Sequence, residues 1–349
     1  MSAELWRPTS GCGPDCLPAP GQVPAVPLAR RAARLLGVLG MLLAGAGVVA
    51  LLPVLPPAPG AAAVRGWARA TARALGVRLE VRGRPPRRRA LLVANHVSWL
   101  DVLALLAVAP ARMLAKREVR AWPLVGLLAR AAGALFVDRA RPRELPATVA
   151  RIAGALRAGD PVAVFPEGTT WCGTPTAGDC RPVRGFRPAV FQAAIDAGVP
   201  VVPLRVGYRC AATGEATTAP AFVGDDTLWR SVRRVLAARD LVVTVRVAAA
   251  LHPAPDADRR ALARAAESAV HLVPARPVAP RPVAALSGPG PVGAVLPARR
   301  AAAGLASVAV SRLAGGAVEV RAGADLRAGA DRRGGADRPT DERELNLAA

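Results

Sequence analysis

Asn95-His96-Val97-Ser98-Trp99-Leu100-Asp101 follows directly on the apolar run Ala90 to Ala94, and the junction reads as a buried strand passing into a helix. It places a histidine and a carboxylate five positions apart at a strand's carboxyl end. An imidazole presented there can take a proton from a hydroxyl, and a nearby carboxylate can fix its tautomer and stabilise the cation that forms. This is half of a catalytic triad without its nucleophile; if no protein nucleophile acts, the attacking oxygen belongs to the substrate. The same spacing has a structural reading. Ser98 and Asp101 form a capping box, in which Asp101 satisfies N–H groups at the helix start and His96 is an ordinary, partly buried histidine.

Three further apolar runs have the same habit. Pro161 to Phe165 ends in Pro166-Glu167-Gly168-Thr169-Thr170, Gly133 to Val137 ends in Asp138-Arg139, and Gly198 to Leu204 forms a fourth block. Strand patterns are also read at Val77 to Val81, Arg112 to Ala115, Val201 to Val206 and Leu241 to Val247. Helical patterns are read at Trp99 to Val108, Leu124 to Ala132, Leu145 to Arg157, Pro188 to Ala197, Asp226 to Ala238 and Asp256 to His271. The alternation predicts an α/β fold, a mainly parallel sheet flanked by helices, with the strand ends lining one crevice.

The four blocks, in this order, resemble the glycerolipid acyltransferase family. N-H-x-S-x-x-D is met by Asn95, His96, Ser98 and Asp101, and G-x-x-F-[IV]-x-R by Gly133, Phe136, Val137 and Arg139. F-P-E-G-T is met by Phe165 to Thr169, and a proline-centred block by Val199 to Pro203. The resemblance covers about residues 70 to 250. It implies that a fatty acyl group moves from a thioester, acyl-CoA or acyl-ACP, to the hydroxyl of a lysolipid in phospholipid biosynthesis, the 1-acylglycerol-3-phosphate class being the first expectation.

On this resemblance His96 is the general base and Asp101 orients it. Arg139 grips an anionic head group with its planar guanidinium, while Asn95, Glu167, Gly168, Thr169 and Thr170 line the acceptor site. Lys116 stands where the family often has a basic residue; it reads equally as a snorkelling surface lysine. Thr170 departs from the basic residue that many phosphatidate-forming members carry after F-P-E-G-T. Either Arg181, Arg184 and Arg187 compensate, or the acceptor is a lyso-ornithine lipid. A non-catalytic basic lipid-surface binding protein is the alternative from another class. No cofactor is expected beyond the acyl-CoA or acyl-ACP co-substrate.

Composition sets the bounds. The 349 residues, 52% hydrophobic, suffice for one full domain with material left over. Residues 1–30 read as a flexible leader, 31–64 as a hydrophobic membrane segment, 65–273 as the acyltransferase domain and 274–349 as a disordered tail rich in Pro, Ala and Arg, with a short Arg-Ala-Gly-Ala-Asp repeat. The formal net charge is +22, and Lys116 is the sole lysine. Such an excess favours an anionic membrane as neighbour. One tyrosine and five phenylalanines leave little for base stacking, so no nucleic-acid partner is expected, and a basic nucleic-acid binder stands only as a third reading.

Leu35 to Leu52 runs 18 residues without a charge and then meets Pro53, Pro56 and Pro57. That nearly matches the ~20 residues needed to span a bilayer. Arginines on both flanks predict a catalytic domain at the cell membrane facing the cytoplasm, through a single span or a helix that turns back at the prolines. A secretory signal is the competing reading, opposed by the more than thirty residues that precede it. Cys12 and Cys16 stand as C-x3-C in the leader, and Cys172 and Cys180 flank a Gly/Thr/Pro loop. With His252 and His271 in unrelated segments, no metal site is expected; the thiols are read as reduced, with a Cys172–Cys180 bridge as alternative.

Overall fold

The computed structural model describes residues 10–19, 21–86, 89–122, 124–173, 180 and 185–272. The expected tail 274–349 lies outside them, as do Arg181 and Arg184. Seven strands, β1 (Val77–Arg82), β2 (Leu91–Ala94), β3 (Arg112–Lys116), β4 (Leu135–Val137), β5 (Val162–Val164), β6 (Val201–Cys210) and β7 (Leu241–Val247), form one sheet in the order β1-β7-β6-β2-β5-β3-β4. All neighbours are parallel except β6 and β7. β2 and β5 are buried along their whole length, as continuous apolar runs must be in a sheet covered on both faces.

Helices α1 (Leu28–Leu51), α2 (Pro57–Ala74), α3 (Leu100–Val108), α4 (Val125–Ala131), α5 (Leu145–Arg157), α6 (Ala189–Ala197), α7 (Leu228–Ala237) and α8 (Arg259–Leu272) complete the fold. Side chains of a strand alternate between faces, so β2 serves two cores. Leu92 and Ala94 pack with Leu100, Ala104 and Leu105 of α3 and with Val202 and Leu204. Leu91 and Val93 pack with Ile152 and Leu156 of α5, Val190 and Phe191 of α6 and Val270 of α8.

Because β2, β3, β4 and β5 run parallel, the segments that leave them emerge at one edge of the sheet. His96, Arg139 and Glu167 follow β2, β4 and β5, and Lys116 is the last residue of β3. The fourth sequence block does not belong to that edge. Val201 pairs with Leu91, so Val199 to Pro203 enters β6 at the opposite end, where Val199 and Val201 are fully buried.

The apolar segment is a helical hairpin. α1 and α2 lie against each other and are joined through the proline-rich turn at 52–56. The Trp67 indole N–H donates to the Met41 carbonyl at 2.7 Å, directly over Gly45, where an added Cβ would fall 2.8 Å from the ring. At its start α1 is docked on the domain: Arg34 donates to the carbonyls of Leu236 and Ala238, and Leu35 and Val38 pack on the core. Leu36, Leu39, Leu43 and Leu51 are exposed. The described part of the leader, expected to be flexible, is also packed, with Cys12 and Val26 buried.

Candidate active site

The turn between β2 and α3 holds His96 by its ring and by its backbone. Asp101 Oδ2 lies 2.8 Å from His96 Nδ1 and also accepts the backbone N–H groups of Val97 at 2.7 Å and Ser98 at 2.8 Å. A carboxylate surrounded by N–H donors can only accept, so Nδ1 carries the proton and Nε2 keeps its lone pair. Asp101 is wholly buried in the first turn of α3, whereas the imidazole is 21% exposed. The capping and histidine-orienting readings of Asp101 are therefore one arrangement: the oxygen that closes the helix start also fixes the ring.

The F-P-E-G-T turn after β5 covers this loop. Phe165 stacks on the His96 ring with centroids 3.9 Å apart and planes 9° from parallel. Glu167, buried, accepts the His96 backbone N–H at 2.6 Å and the Trp171 indole N–H at 3.0 Å. Burial, more than any neighbour, pushes the Glu167 carboxyl well above its ordinary range. The Trp171 backbone N–H closes the circuit on the His96 carbonyl at 3.0 Å.

Gly168 turns with φ +73, a conformation that favours glycine, and presents its carbonyl to Arg139 Nη1. Arg139 Nε is buried without a partner among the described residues. Desolvation, aided by the charge of Arg187, lowers the guanidinium to about 10. Desolvation and the charge of Arg139 lower Lys116 as well. Three cationic side chains thus share a partly desolvated neighbourhood beside the Gly168 turn, a setting suited to an anion.

Two expected acceptor-site residues are committed elsewhere. Asn95 is buried, donating from Nδ2 to the Val206 carbonyl at 2.9 Å and accepting the Val206 N–H at Oδ1 at 2.8 Å. Its carboxamide continues the β2–β6 ladder in place of a backbone group. Thr170 donates its hydroxyl proton to the Phe222 carbonyl, tying the turn to the 218–223 loop. Thr169 is half-buried beside the turn.

The Acyltransferase family model matches residues 78–207. A lyso-ornithine lipid O-acyltransferase from Pseudomonas aeruginosa is 38% identical over 251 residues, covering 69% of this chain and 91% of that protein. The chain belongs to the glycerolipid acyltransferase family. A 1-acyl-sn-glycerol-3-phosphate acyltransferase from Neisseria gonorrhoeae is 34% identical over 206 residues, 57% of this chain and 76% of that one. The crystal structure of PlsC from Thermotoga maritima superposes with a TM-score of 0.48 at 19% identity, covering 69% of this chain and 94% of that one.

In this acyltransferase the sequence reading missed several groups around His96. Tyr208 is the sole tyrosine of the chain, and its hydroxyl donates to Asp101 Oδ1. Burial, then the Asp101 charge, holds the phenol protonated well above its usual range. Its signal in the sequence was that the chain's sole tyrosine falls within a strand pattern. The stacking of Phe165 and the grip of Trp171 on Glu167 left no separate signal. The cysteines of the leader and those of the post-β5 loop were read as separate pairs, and the structure brings them together: the sulfurs of Cys12, Cys16, Cys172 and Cys180 all lie within 4.8 Å of one another.

Proposed function

We propose that this acyltransferase moves a fatty acyl group from a thioester to the hydroxyl of a lysolipid, with His96 as general base. The observation that carries the reading is an imidazole whose Nδ1 is fixed by buried Asp101 while the ring stays open to solvent. Nε2 removes the hydroxyl proton as the oxygen attacks the thioester carbonyl, a contribution of about 10²–10⁴-fold in rate. The tetrahedral adduct collapses with release of the thiolate, which leaves with the proton from His96. The donor is acyl-CoA or acyl-ACP. A thioester is already activated, so the transfer needs no covalent enzyme intermediate.

Arg139 holds the acceptor's anionic head group, supported by Lys116 and Arg187. The first assignment is a 1-acylglycerol-3-phosphate. The second is a lyso-ornithine lipid, favoured by a neutral Thr170 whose proton is engaged by Phe222 and by the 91% coverage of the Pseudomonas relative. Glu167 acts through its bonds to the His96 N–H and Trp171, as a positioning residue.

The enzyme works at an anionic membrane, with the α1–α2 hairpin inserted from the cytoplasmic side. α1 is 24 residues long and contains an 18-residue stretch of mean hydropathy 2.0; at 1.5 Å per residue the helix reaches about 36 Å, against a hydrocarbon core of about 30 Å. Exposed Trp122, Leu124 and Leu127, at and beside α4, which packs on α1, extend this apolar surface. Arg69 and Arg73 on α2 remain exposed for anionic head groups. The test is purified full-length enzyme in detergent, given labelled acyl donor with lysophosphatidic acid and lyso-ornithine lipid side by side. Acylation of one supports the reading and names the acceptor; acylation of neither overturns it.

A further inference from the structure

The leader and the loop that follows the F-P-E-G-T-T turn meet at sulfur. Cys16 Sγ stands 3.4 Å from Cys180 Sγ, and the Cys172 backbone N–H donates to Cys12 Sγ at 3.2 Å. All four sulfurs lie within 4.8 Å of one another, with Cys12 and Cys172 buried and Cys16 and Cys180 partly so. We propose that Cys12, Cys16, Cys172 and Cys180 form a tetrathiolate site that binds one structural zinc ion.

The geometry distinguishes this site from a pair of disulfides. Zinc bound by four thiolates at about 2.3 Å in a tetrahedron sets its sulfurs about 3.8 Å apart along every edge. Two disulfides require two close pairs and give no reason for those pairs to converge. Here every sulfur is near every other one. Cys12-Gly13-Pro14-Asp15-Cys16 has the short ligand spacing of a zinc knuckle, and its chain is bent by a single 3-10 turn, Pro14–Cys16, closed by the Cys16 N–H on the Gly13 carbonyl at 3.1 Å.

Thiols are weak donors and weak acceptors, so four of them facing one another have little to offer each other. A divalent cation in their midst takes them as thiolates, because a coordinating thiol is deprotonated outright. Zinc binding then releases up to four protons and leaves a site of charge 2−, steadied by the Cys172 N–H in a chain whose net charge is +22. Four thiolates and no carboxylate select a soft or borderline metal over magnesium or calcium.

The site fastens the leader to the residue next to Trp171, whose backbone and indole hold the His96 carbonyl and Glu167. It thus braces the outer wall of the catalytic loop from a segment more than 150 residues away in sequence, since Cys12 and Cys172 are 160 positions apart. Zinc here has no open position and takes no part in acyl transfer.

The test is elemental analysis and thiol titration of the full-length enzyme purified in detergent without chelator or reductant. The expected result is one zinc per chain, released by a mercurial as four thiols react, with the metal lost in Cys16→Ser and retained in Cys210→Ser. Cys210 ends β6 apart from the cluster. If Cys16→Ser fails to fold, the wild type loaded with cobalt(II) decides the matter: charge-transfer and visible bands of tetrahedral thiolate coordination support the site. Metal-free protein whose five cysteines all titrate as thiols, or whose cluster cysteines are disulfide-bonded, overturns it, as does cobalt bound without the thiolate bands.

Discussion

The phenol of Tyr208 donates to Asp101 Oδ1, the carboxylate oxygen left over when Oδ2 takes His96 Nδ1 and the Val97 and Ser98 N–H groups. Both oxygens of a wholly buried carboxylate are thus paired, and its orientation toward the imidazole is fixed from two sides. A hydrogen bond to a charged group is worth about 1.5–3 kcal/mol. Tyr208→Phe keeps the ring and removes this bond. It should lower the melting temperature and reduce kcat for acyl transfer about tenfold or more, at an unchanged KM for the thioester. Wild-type kcat in the phenylalanine variant would show that Asp101 is held without it.

His96→Ala should abolish acyl transfer, with a loss on the order of 10²–10⁴-fold or greater. It should cost little stability, because the imidazole is partly exposed. Asp101→Asn presents an amide where three N–H groups need an acceptor, so it should lose both activity and stability. The paired measurement is single-turnover acyl transfer with melting temperature; a His96→Ala enzyme as active as wild type ends the general-base assignment.

Arg139→Lys preserves the charge and discards the fork that meets Gly168 and leaves Nε for a ligand. It should raise KM for the lysolipid about tenfold, as loss of roughly 1.4 kcal/mol of charge-assisted bonding implies, with a smaller effect on KM for the acyl donor. Initial-rate kinetics with each substrate varied in turn separate the two. An equal rise for both would place Arg139 outside the acceptor site.

Burial keeps the Glu167 carboxyl well above its ordinary value of 4.5. The folded chain then holds this proton to higher pH than the unfolded chain does. Its contribution to stability is fully present below about 4.5 and is lost as pH rises through the folded value. Glu167→Gln cannot titrate. As pH rises above about 4.5 the wild type should therefore lose stability relative to the variant, as read by calorimetry on both proteins. A constant difference across that range would mean that Glu167 is ionised in the fold.

Gly45→Leu drives a side chain into Trp67, whereas an added Cβ at Gly40 meets nothing within 4 Å. Overpacking of this kind costs about 1–3 kcal/mol, or roughly 2–4 °C of melting temperature per kcal/mol for a domain of this size. Gly40→Leu serves as the control and should melt near the wild type. Equal melting of the two variants would mean that the hairpin does not depend on the Trp67–Gly45 contact.

The middle of the sheet was legible because strands such as Leu91 to Ala94 and Val162 to Val164 are uninterrupted apolar runs bounded by turns, which have one physical use. The His96–Asp101 pair was legible for a local reason, since five residues across a strand-to-helix turn bring the two side chains together whatever else the chain does. Asn95 entered the expected site as the first residue of the N-H-x-S-x-x-D block, but just past the end of β2 its amide pairs with the Val206 backbone and extends the ladder to β6. The proline-centred block looked like another strand end and proved to be a strand start, because β6 runs parallel to β2.

The sequence by itself determined the α/β class, the family, the apolar helix and the histidine with its carboxylate, all of which follow from patterns within a few residues. Tertiary structure alone decided that Tyr208 reaches Asp101 across 107 positions, that Trp171 grips Glu167 and that four cysteines from two distant segments share one small volume. The reason is that strand order in a sheet is set by how its faces are covered. Residues brought together by adjacent strands and their loops carry no trace of that meeting in their own spacing.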